Sequence, residues 1–169
     1  MHIFSNVLII VVLAFLVVAF GCSENRGLTK VAGIITCDGK EPPATGSMRF
    51  IPEPGQTDVR GGAARFDKDG KFAASTWEKG DGLRPGKYKI CFECWEESPS
   101  LSGSKGVSLI DRKYTDWNND SAMPRLEVVA GTSQTDIVFD VELATEPTIR
   151  AERAAHQKAE ANAQKAMMP

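Results

Sequence analysis

The stretch Pro85–Cys94, PGKYKICFEC, opens on a turn dipeptide and runs straight into strict alternation. Tyr88, Ile90 and Phe92 fall on one side, and Lys87, Lys89 and Cys91 on the other. A period of two places apolar residues on a single face, as a β-strand with one buried side requires. Six further runs of the same kind surround it. Lys30–Cys37 is β-branched and ends in Asp38-Gly39, a strong turn signal. Pro42-Pro43 interrupts before Ser47–Ile51, and Pro52 and Pro54 close that strand. Ala63–Phe66 and Lys71–Thr76 flank Asp67-Lys68-Asp69-Gly70, a tight hairpin turn, while Arg125–Val129 and Asp136–Leu143 are separated by Gly131. Seven short strands with turn punctuation predict an all-β fold, a seven-stranded antiparallel β-sandwich. Phe50, Phe66, Phe72, Tyr88, Phe92 and Phe139 are the residues expected to fill it.

The flanks differ from this centre. Residues 1–21 carry no Lys, Arg, Asp or Glu, and every residue from Val7 to Phe20 is apolar. That run falls short of the about 18–20 apolar residues of a membrane-spanning helix and suits the core of a secretory signal. A retained anchor helix, extended back to Ile3 and Phe4, is the other reading. Gly21-Cys22 stands where apolar sequence stops and Ser23-Glu24-Asn25-Arg26 begins. Ala19-Phe20-Gly21-Cys22 resembles a bacterial lipobox, although Ala19 and Phe20 replace the usual Leu and small residue. The resemblance implies that Cys22 becomes the acylated first residue of the mature chain; a plain signal peptide with a chance cysteine is the alternative. Diacyl and N-acyl chains contribute about 0.8 kcal/mol per buried methylene, so such an anchor is effectively permanent.

The domain reading is therefore a lipoprotein signal peptide or signal helix at 1–21, a polar tether at 22–29, the β-domain at 30–145 and a tail at 146–169. The tail is rich in Ala, Glu, Gln, Lys and Arg, with Thr145 and Pro147 suited to its first turn. It offers no large apolar stripe, which predicts a peripheral helix docked weakly or not at all, a disordered tail being the other reading. Glu96 to Pro124 is rich in Ser, Gly, Asp and Asn, and is expected as a long functional or disordered loop, with Tyr114 and Trp117 either folding it back on the strands or forming a contact surface.

VAGIITCDGKEP, MRFIPEPG, ARFDKDGKFAAST, GDGLRPGKYKI and RKYTDW occur in that order between Lys30 and Leu143. Together they resemble small lipoproteins of planctomycete-type bacteria with a carboxypeptidase regulatory-like domain. The resemblance implies a transthyretin-like, Ig-like β-sandwich. Its motifs are turns and strand starts, so it speaks to fold and carries no chemistry onto particular residues.

Chemistry-bearing residues are sparse. The chain has two histidines, His2 and His156, so no Ser–His or Cys–His dyad has its base within the β-domain. Cys91 and Cys94 form a C-x-x-C, but residues three apart on a strand face opposite ways and share a metal poorly. By alternation Cys37 joins the face of Val31 and Ile35, and Cys94 that of Tyr88 and Ile90. If both faces are core, a Cys37–Cys94 disulfide would suit an oxidising compartment; unpaired strand thiols are the other reading. Asp67-Lys68-Asp69-Gly70 lacks the Gly and Glu spacing of a calcium loop. Asp111, Asp116, Asn118, Asn119 and Asp120 crowd the long loop, either as a weak cation site or as solvated polar residues. The net charge of -2 invites no nucleic acid. The expectation is a non-enzymatic, cofactor-free protein, metal-free in its core, held on the membrane of the cell envelope and facing the periplasm or exterior. Its partner would be an envelope protein or polysaccharide; the alternative is a small-ligand carrier of transthyretin-like type.

Overall fold

The computed structural model describes residues 27–97, 106–119 and 121–167. Cys22, the expected signal helix, most of the tether and Asp120 lie outside the described residues.

All seven expected strands form: β1 (Val31–Cys37), β2 (Gly46–Pro52), β3 (Gly62–Phe66), β4 (Lys71–Ala73), β5 (Gly86–Cys94), β6 (Arg125–Val128) and β7 (Gln134–Val141). They make one sheet in the order β6-β5-β2-β3-β4-β1-β7. The turns use the chemistry their residues offer. Asp38 and Gly39 both take positive φ, 51° and 72°, and the chain reverses so that Cys37 and Lys40 pair. Between β3 and β4, Gly70 takes φ 77° and the Asp67 carboxylate accepts from the Lys71 amide at 2.8 Å.

The expected antiparallel sandwich needs correction in two respects. The β1–β7 pair is parallel, Ile34 opposite Val138 and Cys37 opposite Val141, so the sheet is mixed. There are not two facing layers but one sheet that curls into a nearly closed barrel. Alternation tells which face a side chain takes and is silent about which strand lies alongside, so both features escape it. Gly33 makes the parallel pairing possible. A Cβ there would lie 1.9 Å from the Ile137 carbonyl oxygen, and the register shifts at this point.

Where β6 stops short of the far end of β5, the space between that end and β7 is closed by the long connection, where the sequence had suggested only loop. Ser108 pairs with Trp95 and Ile110 with Leu143, so the segment 107–111 bridges the two strands at one end of the barrel. The adjoining 3-10 turn, Arg112–Tyr114, is capped by Asp111 and drops Tyr114 edge-on against Phe92. Tyr114 folds back as expected; Trp117 does not and is 59% exposed.

Inside, the alternating face of β5 meets the aromatic residues of its neighbours. Tyr88 stands edge-on to Phe50, and Phe92 to Phe139, which stacks on Phe72. Such pairs add about 0.5–1.5 kcal/mol beyond the area they bury. Helix α1 (Glu146–Met167) follows β7, with Ile149 N–H donating to the Thr145 carbonyl at the expected start. Among the described residues no helix is long and apolar enough to cross a membrane.

Candidate functional site

Strand directions sort the loops onto two ends. One end carries the turn after β1, the β3–β4 hairpin, segment 107–111 and the base of α1. The other carries the start of the described chain, the β2–β3 and β4–β5 loops and the β6–β7 turn.

The first end holds Cys37 and Cys94. Both are fully buried, both are free thiols, and both face the core as alternation requires. Burial pushes the Cys37 thiol up to about 12, with Cys94, Asp140 and Asp38 adding to it. Cys94 is raised by burial too, and its Sγ donates weakly to the Ala44 carbonyl at 3.6 Å. Cys91, assigned by alternation to the outer face, is buried as well, because the 3-10 segment covers that face and the Thr115 carbonyl accepts from its Sγ at 3.4 Å. Burial raises its thiol. Thiolate is the nucleophile and metal ligand, so three thiols held in the neutral form are chemically quiet at neutral pH.

The side-chain oxygens of Asp111, Asp116 and Asn119 in the long connection bond within the connection itself. Asp111 accepts from the Lys113 amide, and Asp116 from both nitrogens of Asn118. Among the described residues no group of three or more His, Cys, Asp or Glu converges as a metal site would.

Helix α1 meets the same end through charge. Glu152, whose side chain is 11% exposed, accepts from the buried Ser108 amide at 3.0 Å and also pairs with Arg112. Arg153 pairs with Glu96 at 2.7 Å. Beyond His156 every side chain described on the helix is exposed, so it leaves the barrel as a polar arm.

The opposite end is built around Asp81. Its carboxylate accepts from the amides of Thr76 at 2.7 Å, Trp77 at 3.0 Å and Glu78 at 2.9 Å. Burial alone would push that carboxyl up; the three amides together outweigh it and hold it below the usual carboxylate range. The result is a fixed loop that presents Trp77, 39% exposed, at the barrel's rim. The guanidinium groups of Arg60 and Arg84 lie 5.6 and 5.7 Å from its ring centroid, a cation–π arrangement drawn from two different loops. Arg84 is positioned from below as well, since the buried Tyr88 hydroxyl donates to its carbonyl at 2.7 Å. The same loop clamps the incoming chain: Thr29 and Leu83 exchange backbone hydrogen bonds at 2.8 and 2.9 Å. Gly82 permits this approach, because a Cβ there would lie 2.1 Å from the Thr29 carbonyl oxygen.

This cluster was missed from the sequence. Arg60 lies in the β2–β3 loop and Trp77 and Arg84 lie in the β4–β5 loop, and only the pairing of distant strands brings the two loops to one rim. No known family, curated protein or solved structure matches the chain.

Proposed function

We propose that the protein is a lipid-anchored, non-enzymatic component of the cell envelope, acylated at Cys22, with the β-barrel as a binding or spacing module outside the membrane. The observation that carries this reading is the Gly21-Cys22 seam in the sequence, with the first strand of the barrel beginning at Val31. The domain's character supports it. The described thiols are buried and held neutral, the Asp111 and Asp116 carboxylates accept from nearby backbone amides, and His156, the one histidine among the described residues, lies on helix α1 rather than beside a nucleophile. On this proposal the chain sides with the small lipoproteins that carry a carboxypeptidase regulatory-like module, its parallel β1–β7 closure setting it apart from a two-layer transthyretin-like sandwich. An envelope protein or polysaccharide is the partner class such a tethered module would take.

Intact mass of the membrane-extracted protein tests the reading. The expected species begins at Cys22 and carries acyl chains. Cys22→Ser should abolish both the cleavage and the added mass, and a mutant that still partitions into detergent at the wild-type mass overturns the proposal. The ligand-carrier alternative has a filled barrel against it, since Phe50, Tyr88, Phe92 and Ile90 occupy the interior.

A further inference from the structure

The geometry points to a fixed orientation on the bilayer: the rim bearing Trp77, Arg60, Arg84 and Val129 lies on the phospholipid headgroups, and α1 projects away from them. This rests on acylation of Cys22 and goes beyond it, because an anchor alone would leave the barrel free to tumble.

Three observations combine. The first is reach. From Cys22 to Gly27 is five peptide steps, which span at most about 17 Å when fully extended. The described chain then enters at the Trp77 rim and is clamped there by the Thr29–Leu83 pair. The tether therefore cannot hold this rim far from the lipid. The far end is separated from it by the barrel wall, roughly 23 Å for the seven residues of β1 at about 3.3 Å each.

The second is chemistry. Trp is the side chain that prefers the headgroup layer, where its ring is half immersed and its N–H stays wet, and Arg pairs with phosphate through its planar fork. Trp77 is exposed at the rim with two guanidinium groups against it, and Val129, 52% exposed in the β6–β7 turn, adds an apolar tip. Charge at this end is mixed, Asp58 and Glu78 being exposed alongside Lys79, so the tether and Trp77 set the orientation rather than a broad basic field. The third is the arm. Helix α1 starts at the opposite end, and its 22 residues extend roughly 33 Å. A spacer directed away from the membrane can meet an envelope partner; one directed into it could not.

The experiment uses full-length protein extracted from membranes, its acylation verified by intact mass, and reconstituted into vesicles of phosphatidylethanolamine and phosphatidylglycerol. A donor fluorophore is placed at Thr132→Cys, in the β6–β7 turn, or at Gln164→Cys, near the helix end; the native thiols in the barrel are buried. Energy transfer to a headgroup-linked acceptor should be several-fold stronger from position 132 than from position 164. Equal transfer from both sites in acylated protein overturns the orientation and leaves the anchor standing. An unacylated mass removes the anchor, and the orientation falls with it. Trp77→Ala, and separately the pair Arg60→Gln and Arg84→Gln, should raise transfer from position 164 as the barrel loosens from the surface. If both variants melt cooperatively and transfer is unchanged, Trp77 and the two arginines have no part in the contact.

Discussion

The barrel and helix α1 are joined in one chain but held by opposite means. The barrel is built by burial: Tyr88, Phe92, Ile90 and Phe50 have essentially no exposure, and the strands between them interlock through backbone pairing. The helix buries almost nothing and is fixed at its base by Glu152 and Arg153. Burial of apolar surface is non-directional and is not weakened by ionic screening, whereas ion pairs are screened and contribute little when exposed. The two regions should therefore fail under different stresses.

The largest expected effect falls on the parallel seam. Gly33→Val places a branched side chain against the Ile137 carbonyl, 1.9 Å from where its Cβ would lie, so β1 and β7 must separate. A loss of at least about 4 kcal/mol is expected, which belongs to the severe tail for single substitutions. Denaturant unfolding checks it, and a midpoint close to wild type would mean that the parallel pairing is not what closes the barrel.

Tyr88→Ala should cost roughly 3–5 kcal/mol, as aromatic truncation in a packed core does. Tyr88→Phe should cost only about 0.5–1.5 kcal/mol, the value of the hydroxyl's bond to the Arg84 carbonyl. If the two substitutions cost the same, the hydroxyl rather than the ring carries the site.

The helix comes next. A tail docked weakly or not at all would make truncation after Glu146 cost only about 1 kcal/mol. Glu152 changes that expectation, because it supplies the acceptor for the buried Ser108 amide. Truncation should lower stability by about 1–3 kcal/mol, the range for an orphaned buried donor, and Glu152→Ala alone should reproduce most of it. Arg153→Ala, which breaks only an exposed pair, should stay within about 1 kcal/mol and fade with salt. Thermal melts of the three variants, with and without salt, separate burial from charge at this contact.

The smallest effect is acidic. Asp81 is held below the usual carboxylate range as described, and Asp140 likewise by the Gly39 amide and the Thr36 hydroxyl. A carboxylate depressed in the folded state stabilises above its unfolded pKa and loses that contribution as pH falls through its folded value. Stability should therefore be flat from neutral pH down to about 5 and decline below roughly 4, near the ordinary carboxylate pKa. Asp81→Asn and Asp140→Asn should each flatten that decline. A decline unchanged in both would assign the acid sensitivity to other groups.

What the sequence determined by itself was the seven strands and the C-terminal helix. Alternation in KYKICFEC and turn punctuation elsewhere marked seven strands and the inward faces of β1 and β5, Asp38-Gly39 and Asp69-Gly70 marked turns, and Thr145 and Pro147 marked the helix start, because each depends on residues within a few positions. Only the tertiary structure decided which strands became neighbours. The parallel β1–β7 seam joins residues about a hundred positions apart, segment 107–111 gains its strand pairing from Trp95 and Leu143 rather than from its own composition, and Cys91 is buried by a turn that alternation cannot see. Arg60, Trp77 and Arg84 became one rim for the same reason: local sequence sets conformation and facing, whereas contact between distant segments depends on how the sheet curls and closes.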